Sequence, residues 1–285
     1  MCAKSSTAPL DRLKILLQAQ NVHYQHHTVL SGFVAIFRKE GARGYFKGNG
    51  AMMVRIFPYA AIQFMSYEQY KRLLRPHFRT DTHTYKLVAG SMTGITAVTF
   101  TYPLDMVRAR LAYQVHERRY RGVWHTLSTV AREEGGARGL YRGYVPTVLG
   151  MIPYAGVAFY SYEVLKSLMM EKLHGSATKL SLDGSGTVVL TVPATLLCGG
   201  LAGVVAQTVS YPLDVVRRVM QVHGMVADPA TAPRLLQVLG DIYLRAGLAG
   251  GVFRGMSLNY YRAMPQVAVS FCVYELLKQL LGISS

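Results

Sequence analysis

The sequence predicts an all-α membrane protein built from three tandem helix-hairpin repeats with pseudo-threefold symmetry. It would have six transmembrane helices, the first of them incomplete. Three observations carry this reading: a shortage of charge, a set of evenly sized uncharged windows, and a motif that recurs three times.

The 285 residues include 31 Lys and Arg against 15 Asp and Glu, a formal net charge of +16. Charged residues are only 16% of the chain and hydrophobic ones 51%, whereas a soluble surface wants roughly 25–35% charged residues. Disorder is excluded by the hydrophobicity. A disulfide-framed secreted domain is excluded by three scattered cysteines, Cys2, Cys198 and Cys272. Cys198 and Cys272 read as small packing residues in apolar stretches.

Residues 87–104, 143–162 and 184–213 carry no charge, and 48–67 and 255–274 carry one each, Arg55 and Arg262. A helix needs about 20 mainly apolar residues to cross a bilayer core. These windows are rich in Gly, Ser, Thr, Tyr and Pro, as helices with one face on lipid and the other on a polar cavity would be. The alternative, core helices of a large soluble protein, fits poorly with such uniform windows between strongly basic segments. The pairs Gly90/Gly94 and Gly199/Gly203 are spaced for close helix contact.

The repeats then define each element in turn. Pro-Leu-Asp occurs at 9–11, 103–105 and 212–214, followed three residues after each Asp by Lys14, Arg108 and Arg217. Downstream stand three aromatic-cation-glycine triplets, Phe46-Lys47-Gly48, Tyr141-Arg142-Gly143 and Phe253-Arg254-Gly255. Each is followed at fixed spacing by a proline (Pro58, Pro153, Pro265), a Tyr-Glu pair (Tyr67-Glu68, Tyr162-Glu163, Tyr274-Glu275) and a lysine (Lys71, Lys166, Lys278). One membrane helix therefore runs past each Pro-Leu-Asp, a basic stretch with a short surface helix follows, and a second membrane helix starts at the triplet glycine. The prolines should bend these helices. Residues 171–188 read as a hydrophilic connector. The repeats span 1–80, 81–175 and 190–285.

These residues resemble the mitochondrial carrier family, whose signature Pro-x-Asp/Glu-x-x-Lys/Arg stands here at 9–14, 103–108 and 212–217. The resemblance covers essentially the whole chain and implies the mitochondrial carrier fold, a multi-pass protein of the mitochondrial inner membrane with both termini on the intermembrane side, and transport by alternating access. One departure stands out. Repeats two and three have glycine-rich half-helices before their prolines, at 86–102 and 195–211, while only eight residues precede Pro9. The first membrane helix reads as lacking its outer half, which leaves open a transport-incompetent truncated isoform or an interaction protein.

The Asp and cation of each signature share a helix face, and buried carboxylates in a membrane need partners. Asp11, Asp105 and Asp214 with Lys14, Arg108 and Arg217 are expected to form a ring of inter-repeat ion pairs. In the family such a ring is the matrix gate. Glu68, Glu163 and Glu275 with Lys71, Lys166 and Lys278, braced by Tyr67, Tyr162 and Tyr274, would be the cytosolic gate. The alternative is helix-end charges that pair locally.

Substrate contacts are expected where the symmetry breaks. Seven residues past each triplet glycine stand Arg55, Gly150 and Arg262. Two arginines with no equivalent acid nearby want an anion, since a guanidinium is a rigid fork that keeps its charge in a low dielectric. Gly150-Met151 offers an apolar close-approach surface. A phosphate end with a flat ring fits this set, as in nucleotides and coenzyme A. The resemblance places Arg55, Gly150, Met151 and Arg262 at the family's substrate contact points, near the coenzyme A carrier branch, with another phosphorylated anion as the alternative. Arg218 adds positive charge near the inner mouth.

The basic balance suits anionic lipid headgroups such as cardiolipin. Nucleic-acid binding lacks any recognition motif. No P-loop, nucleophile elbow or zinc-protease motif points to an enzyme, and no cofactor or metal is implied. His23, His26 and His27 read as a solvated polar loop. The chain is expected to act as a monomer.

Overall fold

The computed structural model describes residues 1–24, 27–76, 83–115, 119–172, 178–180, 188–228, 231 and 233–280. His26 and most of the 171–188 connector lie outside them. By packing, the chain divides into two units, one of Met1–Thr147 with Pro212–Ser285 and one of Val148–Tyr211.

In the first unit, α1 (Cys2–Ser6) and α2 (Ala8–Gln18) are separated at Thr7. Pro9 falls in the first turn of α2, where its missing N–H costs nothing. Surface helix α3 (Val29–Glu40) leads through a 3-10 turn at Ala42–Phe46 into α4 (Asn49–Leu74). The long α5 (His83–Tyr113) packs along α4 and runs through Pro103. Surface helix α6 (Val123–Glu133) and the short α7 (Ala137–Leu140) follow.

Helix α8 (Tyr144–Lys172) carries the chain into the second unit, where β1 (Thr178–Leu180) pairs antiparallel with β2 (Val188–Leu190). This hairpin lies in a stretch expected to be plain connector. The β-branched run Val188-Val189 favours extended backbone. Helix α9 (Val192–Val226) brings the chain back, and α10 (Leu235–Gly247), a π-helical turn at Leu248–Val252 and α11 (Met256–Leu280) complete the first unit. There α1 and α2 pack on α11, and α2 on α5.

Among the described residues, five helices of 25 to 35 residues are long enough to span a bilayer. Two stretches, Ala137–Glu171 and Pro193–Val226, are also apolar enough by composition alone. The others are diluted by polar residues, as the sequence predicts for helices facing a polar interior. Exposed Phe57, Phe64, Phe100 and Leu201 are suited to lipid.

The triplet glycines explain themselves. Gly48, Gly143 and Gly255 all adopt left-handed backbone, with φ of 83°, 84° and 78°. At Gly48 a methyl group would stand 2.9 Å from the Arg108 carbonyl oxygen, and at Gly143 3.0 Å from that of Arg217. The turns at Gly48 and Gly143 are thus pressed on the backbone of the following repeat's signature, and only glycine meets both demands there. The close-contact expectation is not met at Gly90 in the first unit. A methyl there would meet no described atom within 4 Å. Cys198 is buried as expected, whereas Cys272 is exposed.

Candidate functional site: an ion-paired ring with excess positive charge

Helices α2, α5 and the second half of α9 present the three signatures to one another within the first unit. Arg108 Nη2 donates to Asp11 Oδ2 at 2.6 Å, joining repeat two to repeat one. Arg217 Nη2 donates to Asp105 Oδ2, joining repeat three to repeat two. Asp214 is the leading attractive charge near Lys14, so of the three expected links two are seen as direct ion pairs. Asp105 is almost completely buried, so each of its lone pairs needs a donor. Gln221 Nε2 supplies one at 3.0 Å, and Arg218 stands 3.5 Å away. Gln221 also bonds the Tyr102 hydroxyl at 3.2 Å.

The structure corrects one premise. Arg55 and Arg262 do have acids beside them. Arg55 Nη1 lies 3.1 Å from Asp105 Oδ1, and Arg262 Nη1 lies 3.0 Å from Asp11 Oδ1. Asp11 and Asp105 each turn one oxygen to the ring and the other to a contact arginine. Arg55 Nε also reaches Thr101 Oγ1 at 3.4 Å, and its guanidinium lies 5.2 Å from the centre of the Tyr59 ring. The carboxylates are oversubscribed. Among the described residues seven cations (Lys4, Lys14, Arg55, Arg108, Arg217, Arg218, Arg262) stand around three acids, a formal excess of four positive charges.

The remaining expected site residues are placed as follows. On α4, Lys71 Nζ pairs with Glu68 Oε1 at 3.2 Å, three residues apart on the same helix, and lies 5.2 Å from the centre of the Tyr67 ring. On α11, Tyr274 and Glu275 are exposed and Lys278 is half-buried. Gly150, Met151, Tyr162, Glu163 and Lys166 lie on α8 in the second unit, all half-buried.

Two ion-pair centres escape a reading of the motifs. Glu40 holds Arg12, whose Nη2 lies 2.7 Å from Oε1, and also Lys47. Glu134 holds Arg110 through both of its oxygens, and Arg142 Nη1 at 3.2 Å. Both acids precede a glycine, Glu40-Gly41 and Glu134-Gly135, and both capture the cation of their own triplet. That pairing is the signal available in the sequence. The third repeat has Ala246-Gly247 in the same place, which hides the repetition.

Three copies of one acid-cation signature on long helices, closing on one another around surplus positive charge, define a membrane carrier of charged solutes. A family model described as mitochondrial carrier protein matches residues 1–78, 79–173 and 189–285. The chain belongs to the mitochondrial carrier family. It therefore has the family's all-α, three-repeat fold, is a multi-pass protein of the mitochondrial inner membrane, and is a transporter, not an enzyme. It is 49% identical over 279 residues to solute carrier family 25 member 16 of Homo sapiens, covering 98% of this chain and 84% of the relative. It is 40% identical to mitochondrial carrier protein CoAc1 of Zea mays, covering 99% of this chain and 84% of the relative. It is 38% identical to the mitochondrial adenine nucleotide transporter ADNT1 of Arabidopsis thaliana, with the same coverage of both chains.

Proposed function

We propose that this protein carries coenzyme A or a related adenine nucleotide across the mitochondrial inner membrane by alternating access, in exchange for a second solute. The observation that carries the reading is the surplus of formal positive charge where Arg55 and Arg262 share the signature aspartates Asp105 and Asp11. In a low dielectric such a surplus attracts a polyanion strongly, and several phosphate charges on one solute match it. The sequence similarity to a relative named as an adenine nucleotide transporter supports the same class.

The geometry suggests how binding and opening are coupled. A phosphate that takes the forks of Arg55 and Arg262 competes with Asp105 and Asp11 for them. The incoming negative charge repels both aspartates and draws on the ring cations, so the ring loosens only when the solute is in place. By their register, Gly150 and Met151 are proposed as the contact for the flat apolar part of the solute. The signature ring is proposed as the matrix gate, and the Tyr-Glu and lysine set as the cytosolic gate. The local pairing of Lys71 with Glu68 fits a cytosolic gate that is not closed. The carrier is proposed to act as a monomer, with its basic repeat boundaries against cardiolipin and other anionic lipids.

The test is uptake of labelled coenzyme A and adenine nucleotides by liposomes containing the purified protein. Saturable uptake of these solutes, lost in Arg262→Ala, is expected. Equal uptake of dicarboxylates or amino acids, or an Arg262→Ala protein with unchanged affinity and rate, contradicts the assignment.

A further inference from the structure

We propose that Ala19, Tyr113 and Val222 form a second, apolar closure of the transport path beyond the ionic ring, and that Tyr113 provides most of its bulk. The inference rests on the transport reading above. These residues stand at equivalent places, each eight positions after a signature aspartate (Asp11, Asp105, Asp214). At 1.5 Å per residue that is about 12 Å further along each helix. They meet in one buried cluster, with Met225 packed against it.

The side chains at the three places are unequal: a methyl, a phenol and an isopropyl group. One large residue among small ones fills a shared space as well as three medium ones do. The surrounding backbone shows that the cluster is an end layer. Helix α2 stops at Gln18 with Ala19 as its cap, and α5 stops at Tyr113. The two chain ends are tied by Asn21 Nδ2, which donates to the Tyr113 carbonyl at 3.2 Å. Past this point lies a cavity of about 400 Å³ lined by Asn21, His23, Tyr113, Arg119, Met225 and Val226.

An ionic ring by itself is polar and attracts water, so it blocks a large solute better than it blocks small ions. An apolar constriction stops water and ions by dewetting. Placed after the ring, the Ala-Tyr-Val layer would seal the path against leak while the ring answers to the charge of the solute. What matters in such a layer is its total volume and its lack of polarity, not which repeat supplies the bulk.

The experiment measures passive proton leak in liposomes containing the full-length protein and an entrapped pH dye, after a pH step and with no solute present. Tyr113→Ala should raise the leak several-fold over wild type, and Tyr113→Phe should not. Ala19→Phe combined with Tyr113→Ala should bring it back towards wild type, because volume is restored from the neighbouring position. Val222→Thr, which keeps the shape but adds a hydroxyl, should also raise the leak and serves if Tyr113→Ala fails to fold. Wild-type leak in both Val222→Thr and a folded Tyr113→Ala protein overturns the proposal, as does a double variant that leaks like the single one. Coenzyme A uptake by wild type is measured in parallel. Its absence removes the transport reading, whereas normal uptake with unchanged leak in the variants removes only the layer.

Discussion

Neighbouring glutamates provide a sharp test of the ion-pair reading. Glu134 and Glu133 are adjacent in sequence and both pair with arginine. The side chains of Glu134 and Arg110 are 1% and 0% exposed, those of Glu133 and Arg119 48% and 37%. Arg110 also donates to the Gln221 carbonyl at 3.1 Å and to the Tyr120 hydroxyl at 3.0 Å, so it is held in place and cannot swing out to water. Glu134→Gln keeps the volume but removes the charge that opposes buried Arg110. Breaking a buried pair in this way costs about 3–5 kcal/mol. An exposed pair such as Glu133–Arg119 is worth about 0–1 kcal/mol and is screened by salt. At about 2 °C per kcal/mol for a chain of this size, Glu134→Gln should lower the unfolding temperature by about 6–10 °C and Glu133→Gln by no more than about 2 °C. Thermal unfolding in detergent can be followed with a thiol-reactive dye at buried Cys198, after exposed Cys2 and Cys272 are blocked. Equal shifts for the two variants, or a Glu134→Gln protein as stable as wild type, would refute the reasoning.

The same unfolding assay checks the glycines. Gly143→Ala and Gly48→Ala should each lose stability, by about 1–2 kcal/mol for the left-handed backbone alone. Gly90→Ala, in an open part of α5, should be neutral or slightly stabilising because alanine is the better helix former; a loss there as large as at Gly143 would contradict the packing described. Tyr24 predicts an alkaline signature. Burial, reinforced by the Glu40 carboxylate, pushes its phenol up to about 12, against about 10 in an unfolded chain. The contribution is therefore whole below about pH 10 and is lost as the pH rises towards about 12. Tyr24→Phe should flatten that part of the stability profile, and an unchanged profile would show that Tyr24 does not cause it.

Much of the architecture is legible because it is written in local rules. Uncharged windows mark membrane helices, and fixed spacings after the triplet glycines mark equivalent turns. The ring pairs Asp11–Arg108 and Asp105–Arg217 follow from threefold repetition of acid and cation. What the motifs do not reveal is which atoms meet across the chain. Arg55 and Asp105 are 50 residues apart, and Arg262 and Asp11 are 251 apart. Each contact arginine looked unpartnered because its acid belongs to another repeat and already had an assigned partner. A carboxylate has two oxygens, and here both are used. The 178–190 hairpin was hidden for a different reason, since three-residue strands are too short to set up a period.

The central claim is that Arg55 and Arg262 receive phosphate groups from the solute. It is tested most directly by competition against uptake of labelled coenzyme A, using pantetheine and adenosine, which keep the apolar parts but carry no phosphate. Unlabelled coenzyme A should inhibit strongly and these two weakly. Inhibition by pantetheine or adenosine as strong as that by coenzyme A itself would contradict the account.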